Sequence, residues 1–388
     1  MSKPSFSGYL RPDGSVGVRN LVAIIPSCGC AQHAARRIAA AVPEAALVDY
    51  SGGCGETSAD LEVATRLLAG YGRHPNVVAS IVVSLGCEGL DAHDLSARIA
   101  KGWAPTELLV IQELGGTERT IARGIELAQA FAADAQRYER EPCPISALTV
   151  GLECGGSDAT SGLAANPSLG AFADRLVALG GRAILPETSE LLGAEHILMA
   201  RAATPELASE IERIVKACER ELKATGEDMT GKQPSPGNIR GGISTVEEKA
   251  LGDVLKGGST PVIDVLTYGQ PPRKPGLSFM DTPGNDLASV TGLAAAGCQV
   301  IIFTTGRGSP TGNAVVPVIK VTGNPGTYAR MGDDIDVNAG EVIEGKATIP
   351  EMGNRIYDMV LRVAEGEETA AERTGHQEFM MLRKGPLY

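Results

Sequence analysis

Four of the eight cysteines in this chain sit in glycine-rich turns that follow apolar runs. They are Cys30 in Pro26-Ser-Cys-Gly-Cys30, Cys54 in Gly52-Gly-Cys-Gly55, Cys87 in Leu85-Gly-Cys-Glu88 and Cys154 in Glu153-Cys-Gly-Gly-Ser-Asp158. Thiolates are soft ligands that suit iron, zinc or an iron-sulfur cluster. Structural zinc sites usually carry paired Cys-x-x-Cys knuckles. Here the only close pair is Cys28 and Cys30, so zinc is the weaker reading. Dispersed cysteines fit either Fe(II) or an iron-sulfur cluster, although the compact ferredoxin spacing is absent. One cysteine alone is more often a small buried hydrophobe than a ligand. Four in similar turns favour a shared metal site, and Cys143, Cys218 and Cys298 are left as core.

Around these turns lie groups able to move protons or hold anions. Elimination next to a carboxylate needs a base for the α proton, and an acid or Lewis acid for the leaving group. His196, in Gly193-Ala-Glu-His196 and preceded by Glu187 and Glu190, is a candidate base, acid or ligand. The plain alternative is a helix histidine bonded to a neighbouring carboxylate. Glu88 and Asp158 stand beside candidate ligands, where a carboxylate can bind metal, transfer a proton or cap the next helix. In Ser244-Thr-Val-Glu-Glu-Lys249, Glu248 and Lys249 read either as a functional pair or as a capping box with an exposed lysine. Arg307 and Lys320 are the expected anion binders, backed by the N–H groups of Gly306-Arg-Gly-Ser309. Arg19, Asn20, Ser157 and Ser309 complete the candidate substrate contacts.

These residues need a scaffold that brings distant turns together. The first half alternates short apolar runs with helical stretches, the pattern of a parallel α/β sheet. Strands are expected over residues 21–26, 77–85, 108–112, 148–152 and 182–186, with crossover helices over 31–41, 58–70, 117–137 and 168–179. In such a sheet ligands bind outside the carboxyl ends of the strands, where turns far apart in sequence converge. Charges recur through 204–223, a solvent-facing helix, and the polar Gly/Pro-rich stretch from Thr225 to Gly242 marks the expected domain boundary. The second half restarts with a helix over 244–255 and strands over 261–265 and 299–304, and ends in a helix over 350–365. The expectation is an α/β protein: a Rossmann-like parallel-sheet domain over 1–230, bearing the cysteine loops, and a second α/β domain over 231–388.

Bulk properties narrow the function. A chain of 388 residues with 43% hydrophobic residues can bury a large core. A net charge of −12 leaves no basic footprint for nucleic acid or an anionic membrane. No apolar run approaches the roughly 20 residues of a membrane span, and the first residues lack a signal-peptide core, so a cytoplasmic location is expected. The first strand is not followed by Gly-x-Gly-x-x-Gly and no Walker sequence occurs, which argues against NAD and ATP.

Several motifs together resemble the altronate/galactarate dehydratase family. They are Gly8-Tyr-Leu-Arg-Pro-Asp-Gly14 with Gly17-Val-Arg-Asn20, the Cys87 and Cys154 turns, Asn166-Pro167, Pro234-Ser-Pro-Gly-Asn238, Phe279-Met-Asp-Thr-Pro-Gly284, Phe303-Thr-Thr-Gly-Arg-Gly-Ser309, Glu351-Met-Gly353 and Gly375-His-Gln-Glu-Phe379. The resemblance implies elimination from a small anionic hydroxy acid and dependence on iron, with Cys30, Cys54, Cys87 and Cys154 on cysteines of the family pattern. Two departures bear on substrate and partners. Typical sugar-acid members carry a histidine shortly before the Gly-Cys-Gly turn, whereas this chain reads Val48-Asp-Tyr-Ser-Gly-Gly-Cys54. Single-chain members also have a small domain ahead of the Gly8-Tyr9 motif, which implies a separate small subunit and a hetero-oligomer here. A two-subunit branch of the family releases sulfite from sulfolactate to give pyruvate. Sulfite leaves more readily than hydroxide and needs less protonation, so this is the preferred reaction. Dehydration of altronate or galactarate is the alternative, and a non-catalytic metal-binding scaffold is the rival from another class.

Overall fold

Side chains alternate in the first long apolar run: Val22 and Ile24 enter one core cluster, Ala23 and Ile25 another. Burial on both faces is the parallel-sheet pattern. In the computed structural model, which describes residues 5–226 and 233–388, this run is β3 (Leu21–Pro26), with strands numbered in chain order. It forms a four-stranded parallel sheet with β4 (Ala45–Leu47), β5 (Val77–Ser84) and β6 (Thr106–Val110), in the order β4-β3-β5-β6. Helices Gln32–Ala39 and Thr117–Ala135 cover one face, and Ser58–Gly72 and Ala92–Ile99 the other.

A second parallel sheet contains β8 (Thr149–Cys154), β9 (Arg182–Leu185), β10 (Val262–Leu266), β11 (Gly276–Met280), β12 (Val300–Thr305), β13 (Val318–Thr322) and β14 (Val337–Asn338). Its order is β10-β11-β9-β8-β12-β13-β14, with Ile302 of β12 opposite Leu152 of β8. Helices Asn166–Ala178 and Ile349–Ala364 pack on one face and Asp286–Ala295 on the other. A small antiparallel sheet joins β1 (Ser5–Leu10) to β2 (Val16–Gly17) and β7 (Glu141–Pro144).

This topology corrects the expected division at residue 230. β8 and β9 lie on the N-terminal side of that point, yet they hydrogen-bond to β12 and β11. The two parallel sheets separate between Val110 and Thr149 instead. Of the polar stretch taken as the boundary, residues 227–232 lie outside the described residues; the rest leads into a short helix, Pro236–Arg240, closed by a Ser235/Asn238 capping box.

One apolar cluster is shared by both sheets, through helices Ser58–Gly72 and Asp286–Ala295. Gly70 permits their close approach, since a Cβ there would overlap the Ala295 carbonyl. At the amino ends of β5 and β12 the joint is polar and buried. The Asn76 amide nitrogen donates to the carbonyls of Gln299 and Val315, and its oxygen accepts from Val18 N–H at 2.8 Å. Burial holds His74 near pKa 4, so it is neutral, accepting from Asn76 N–H and donating to Cys298 O at 3.0 Å. After Gly375 the chain crosses to the first sheet. There Lys384 and Gly385 donate to Asp60, and Tyr388 N–H reaches Gly55 O at 2.9 Å. No helix among the described residues is long and apolar enough to cross a membrane.

Candidate active site

In each parallel sheet the strand order reverses once, and a ligand crevice opens outside the carboxyl ends at such a point. In the first sheet the reversal falls between β3 and β5. Cys30 follows β3, Cys54 the loop after β4, and Cys87 follows β5. Backbone bonds tie these loops together: Gly29 N–H to Gly52 O at 3.0 Å, and Leu90 N–H to Gly53 O at 2.9 Å. Glu88 is a clamp within them. It accepts from the hydroxyls of Ser27 and Ser84 and from the N–H groups of Gly86 and Cys87. Burial raises its pKa, but these four donors outweigh burial and bring it to about 2. So strong an acid is a poor proton acceptor at neutral pH. Cys30, Cys54 and Cys87 are exposed free thiols. This donor set suits iron by softness. Among the described residues no three cysteine sulfurs lie within 4.8 Å of one another.

The second reversal lies between β8 and β12, and the loops after them interlock. Gly155 N–H donates to Thr304 O at 3.0 Å and Arg307 N–H to Gly156 O at 2.8 Å. Cys154 ends β8 fully buried, apart from the exposed thiols. Its Sγ donates to Asp253 Oδ1 at 2.9 Å and accepts from Lys256 Nζ at 3.4 Å. Lys256, with no exposed surface, also donates to Asp253 at 2.5 Å and to Glu187. Burial and then Asp253 push the thiol pKa up, whereas Asp253, Cys154 and Glu187 overcome burial to raise that of Lys256. The ammonium is therefore held charged and the thiol neutral. Glu187, just beyond β9, has φ 72°, the only positive φ outside glycine among the described residues. Such strain persists where surrounding bonds over-determine the backbone. Here Glu187 N–H is fixed to Thr282 Oγ1 at 2.7 Å.

One turn further on, Glu190 accepts from Lys249 Nζ at 2.8 Å and from Gln233 at 2.6 Å. Burial raises its pKa, the Lys249 charge opposes, and Glu187 and Asp253 add to the rise, giving about 7. Glu190 and Lys249 line a cavity of about 270 Å³ with Cys154, Ser157, Asp158 and Asp253. A separate cavity of about 440 Å³ runs from Thr57 and Asp60, just beyond Cys54, to Thr188 and Thr282, beside Glu187. The carboxyl edges of both sheets thus contribute to one space.

Of the sequence candidates, Cys154, Ser157, Asp158 and Lys249 come together in the smaller cavity. Asp158 serves there as a cap, accepting from Thr160 and Ser161 N–H and from the Asn324 amide. Lys249 pairs with Glu190 across 59 residues of sequence rather than with its neighbour Glu248, whose carboxylate accepts from Ser244 N–H while Thr245 caps the helix Val246–Asp253.

Others are placed differently. His196 is on the exposed face of the short helix Glu195–Ala200 and lines neither cavity. Arg19 spends all five N–H donors on Glu372 and on the carbonyls of Val18, Val363 and Glu367, pinning the C-terminal helices. Asn20 bridges Arg11 and Ala135 O. Neither is free for a substrate. Lys320 is a correction of the same kind: it is fully buried in β13, donates to Thr311 O and lies over the Phe303 ring. Burial lowers its pKa to about 8. The Ser309 hydroxyl is buried against Thr311. Arg307 is exposed, its guanidinium close to Gly237. Cys143 and Cys298 are buried as expected, and Cys218 is half-buried beside the larger cavity.

Sequence reasoning gave no role to Glu153, Asp253, Lys256 or Asp286, and named Glu187 and Glu190 only as neighbours of His196. The usable signal was position: Glu153, Glu187 and Asp286 each fall at or just past the carboxyl end of a strand.

Parallel sheets with a glutamate poised near neutrality at a carboxyl-edge cavity are the architecture of an α/β enzyme. Residues 8–136 match the second domain of D-galactarate dehydratase/altronate hydrolase, and residues 145–387 match the C-terminal domain of D-galactarate/altronate dehydratase. These spans divide where the two parallel sheets divide. Altronate dehydratase of Bacillus subtilis is 35% identical, over 98% of this chain and 78% of its own length. The (2R)-sulfolactate sulfo-lyase subunit beta of Chromohalobacter salexigens is 36% identical, over 98% and 97%. Galactarate dehydratase (L-threo-forming) of Escherichia coli is 33% identical, over 99% and 77%. The chain belongs to the altronate/galactarate dehydratase family, and it is a lyase.

Proposed function

We propose that this chain catalyses β-elimination from a 2-hydroxy acid, with (2R)-sulfolactate as the preferred substrate and pyruvate and sulfite as products. The observation that carries the reading is Glu190, held near pKa 7 and ion-paired with Lys249 in a cavity large enough for a three-carbon acid. A base poised near the working pH is the requirement for abstracting a proton beside a carboxylate. Glu190 takes the C2 proton, and Lys249 holds the substrate carboxylate as charge moves toward it. The Ser157 hydroxyl lies on the same wall for the substrate's own hydroxyl. The C2 electrons form the double bond as the C3–S bond breaks and sulfite leaves with its electron pair. The enol then gains a proton at C3 to become the keto acid.

Iron is the metal we assign to Cys30, Cys54 and Cys87, and when bound it supplies a Lewis acid. Cysteine thiolates are the usual ligands of iron-sulfur clusters, and the three loops are joined by backbone hydrogen bonds. Cys154 stands outside that set because its sulfur is committed to Asp253 and Lys256. The name of the Chromohalobacter relative includes a subunit designation, which supports a partner subunit and a hetero-oligomer for this chain too. The absence of a histidine before Cys54 favours sulfite over water as the leaving group. Dehydration of altronate or galactarate is the second reading, supported by relatives at 35% and 33% identity that carry those names.

The test is to assay the chain, alone and with a candidate small subunit, on sulfolactate, altronate and galactarate, following sulfite and keto acid. Sulfite release supports the first reading, and keto acid only from the sugar acids supports the second. Turnover unaffected by Glu190→Gln would overturn the assignment of the base and favour a scaffold role.

A further inference from the structure

We propose that the cleft between the two parallel sheets, at their amino edges, binds a small oxyanion carrying at least two negative charges, a phosphate ester or a polycarboxylate. The cleft has a volume of about 610 Å³, the size of a small-molecule site, and it lies at the end of the strands opposite the thiols, Glu190 and Lys249. Both halves of the molecule line it. Arg73 follows helix Ser58–Gly72 and Lys101 follows helix Ala92–Ile99, both packed on the first sheet, while Arg182 opens β9 in the second.

The observation that carries the site is positive charge without a partner. The chain has a net charge of −12, yet these three cations line one cleft and none forms an ion pair among the described residues. Arg182 uses one of its N–H donors, on Ser146 O at 3.2 Å, and Arg73 one, on Ala69 O at 3.4 Å. Arg19, which fastens the fold, spends every donor it has. Gly102 places the Arg73 stem, since a Cβ there would come within 3.1 Å of Arg73 Cγ; the arginine therefore lies over the turn that carries Lys101. The single carboxylate among the described lining residues, Asp13, is committed to the N–H and hydroxyl of Ser15. His74, also in the wall, is neutral. The cleft is thus positive on an otherwise acidic protein. A guanidinium fork matches two oxygens of a phosphate or carboxylate, and with one arginine on each side the anion bridges the two sheets.

The test titrates the full chain with ribose 5-phosphate and with succinate by isothermal titration calorimetry, with ribose as the neutral control. The expected result is saturable binding of at least one of the two anions, none of ribose, and an affinity that falls as salt is added. Which anion binds names the class. Arg73→Gln and Arg182→Gln should each weaken binding about tenfold or more, because each removes charge-assisted hydrogen bonds to the anion. Without ligand both variants should unfold as the parent does, which separates loss of the site from loss of the fold. Lys249→Met should bind as the parent does, which separates this cleft from the cavity at the carboxyl edge. Because the anion joins the two sheets, it should raise the unfolding temperature of the parent and not of the arginine variants. Binding of neither anion, equal binding by the arginine variants, or loss of binding in Lys249→Met alone would overturn the proposal.

Discussion

Replacing Lys249 by methionine should shift the pH at which the enzyme becomes active, rather than only lower its rate. The Lys249 ammonium is 2.8 Å from Glu190, with side-chain exposures of 12% and 3%. An opposite charge at that range lowers a carboxyl pKa by about 1 to 3 units. Methionine keeps the packing and removes the charge, so the pKa of Glu190, now about 7, should rise to about 8 to 10. At pH 7 the ionised fraction of Glu190 falls from about one half to between about one tenth and one thousandth. The ionisation change alone should therefore lower kcat/KM at pH 7 about 5- to 500-fold and be recovered as pH rises through the new value, while the lost carboxylate contact lowers the profile at every pH. The contrast is Glu190→Gln, which should lose about 10²- to 10⁴-fold above pH 7 and lack the acid limb of the profile. The assay is the pH profile of kcat/KM on whichever of the three acids is turned over, since that profile reports the free enzyme. A Lys249→Met profile with its acid limb still near pH 7, whatever its amplitude, would refute the coupling.

Serine at Cys30, Cys54 or Cys87 should sharply reduce iron in anaerobically purified protein, whereas Cys154→Ala should retain it; equal retention in all four would remove the thiol-loop assignment. Lys320→Met should remove a charge-burial cost of about 3 kcal/mol at pH 7, the depression from 10.5 to about 8, against about 1 to 3 kcal/mol for the lost hydrogen bond to Thr311 O, leaving a net change of about 0 to 2 kcal/mol in favour of the variant. Between those two values the unfolded chain binds the proton that the folded chain has shed. Wild-type stability should thus climb as pH rises from about 8 to 10.5. Denaturant melts of both proteins, with the variant lacking that climb, are the check.

The parallel strands buried on both faces were legible because their apolar runs are continuous and end in glycine turns. Residues 21–26 fell on β3 with both ends correct. What escaped lacks that contrast. Helix Asp286–Ala295 is buried almost all round, so it carries no polar stripe to give a helical period. β13 hides behind Lys320, whose charge suggested a ligand contact rather than the middle of a buried strand. The thiol loops were visible locally, but Cys154 matched them only in its turn; the sheet it ends is a different one. The Glu190–Lys249 pair depends on a contact across 59 residues, which no local pattern encodes. Arg19 fastens the C-terminal helices and Asn20 joins Arg11 to Ala135 O, purposes that residue type alone does not separate from substrate binding.

The polar joint at Asn76, His74 and Gln299 fastens the two sheets at the amino ends of β5 and β12, while the thiols, Glu187 and Glu190 all stand at the opposite, carboxyl edge. Buried polar groups whose hydrogen bonds are satisfied fix a single arrangement of the elements they join. The spacing of the two carboxyl edges is therefore set by side chains a full strand length away from them.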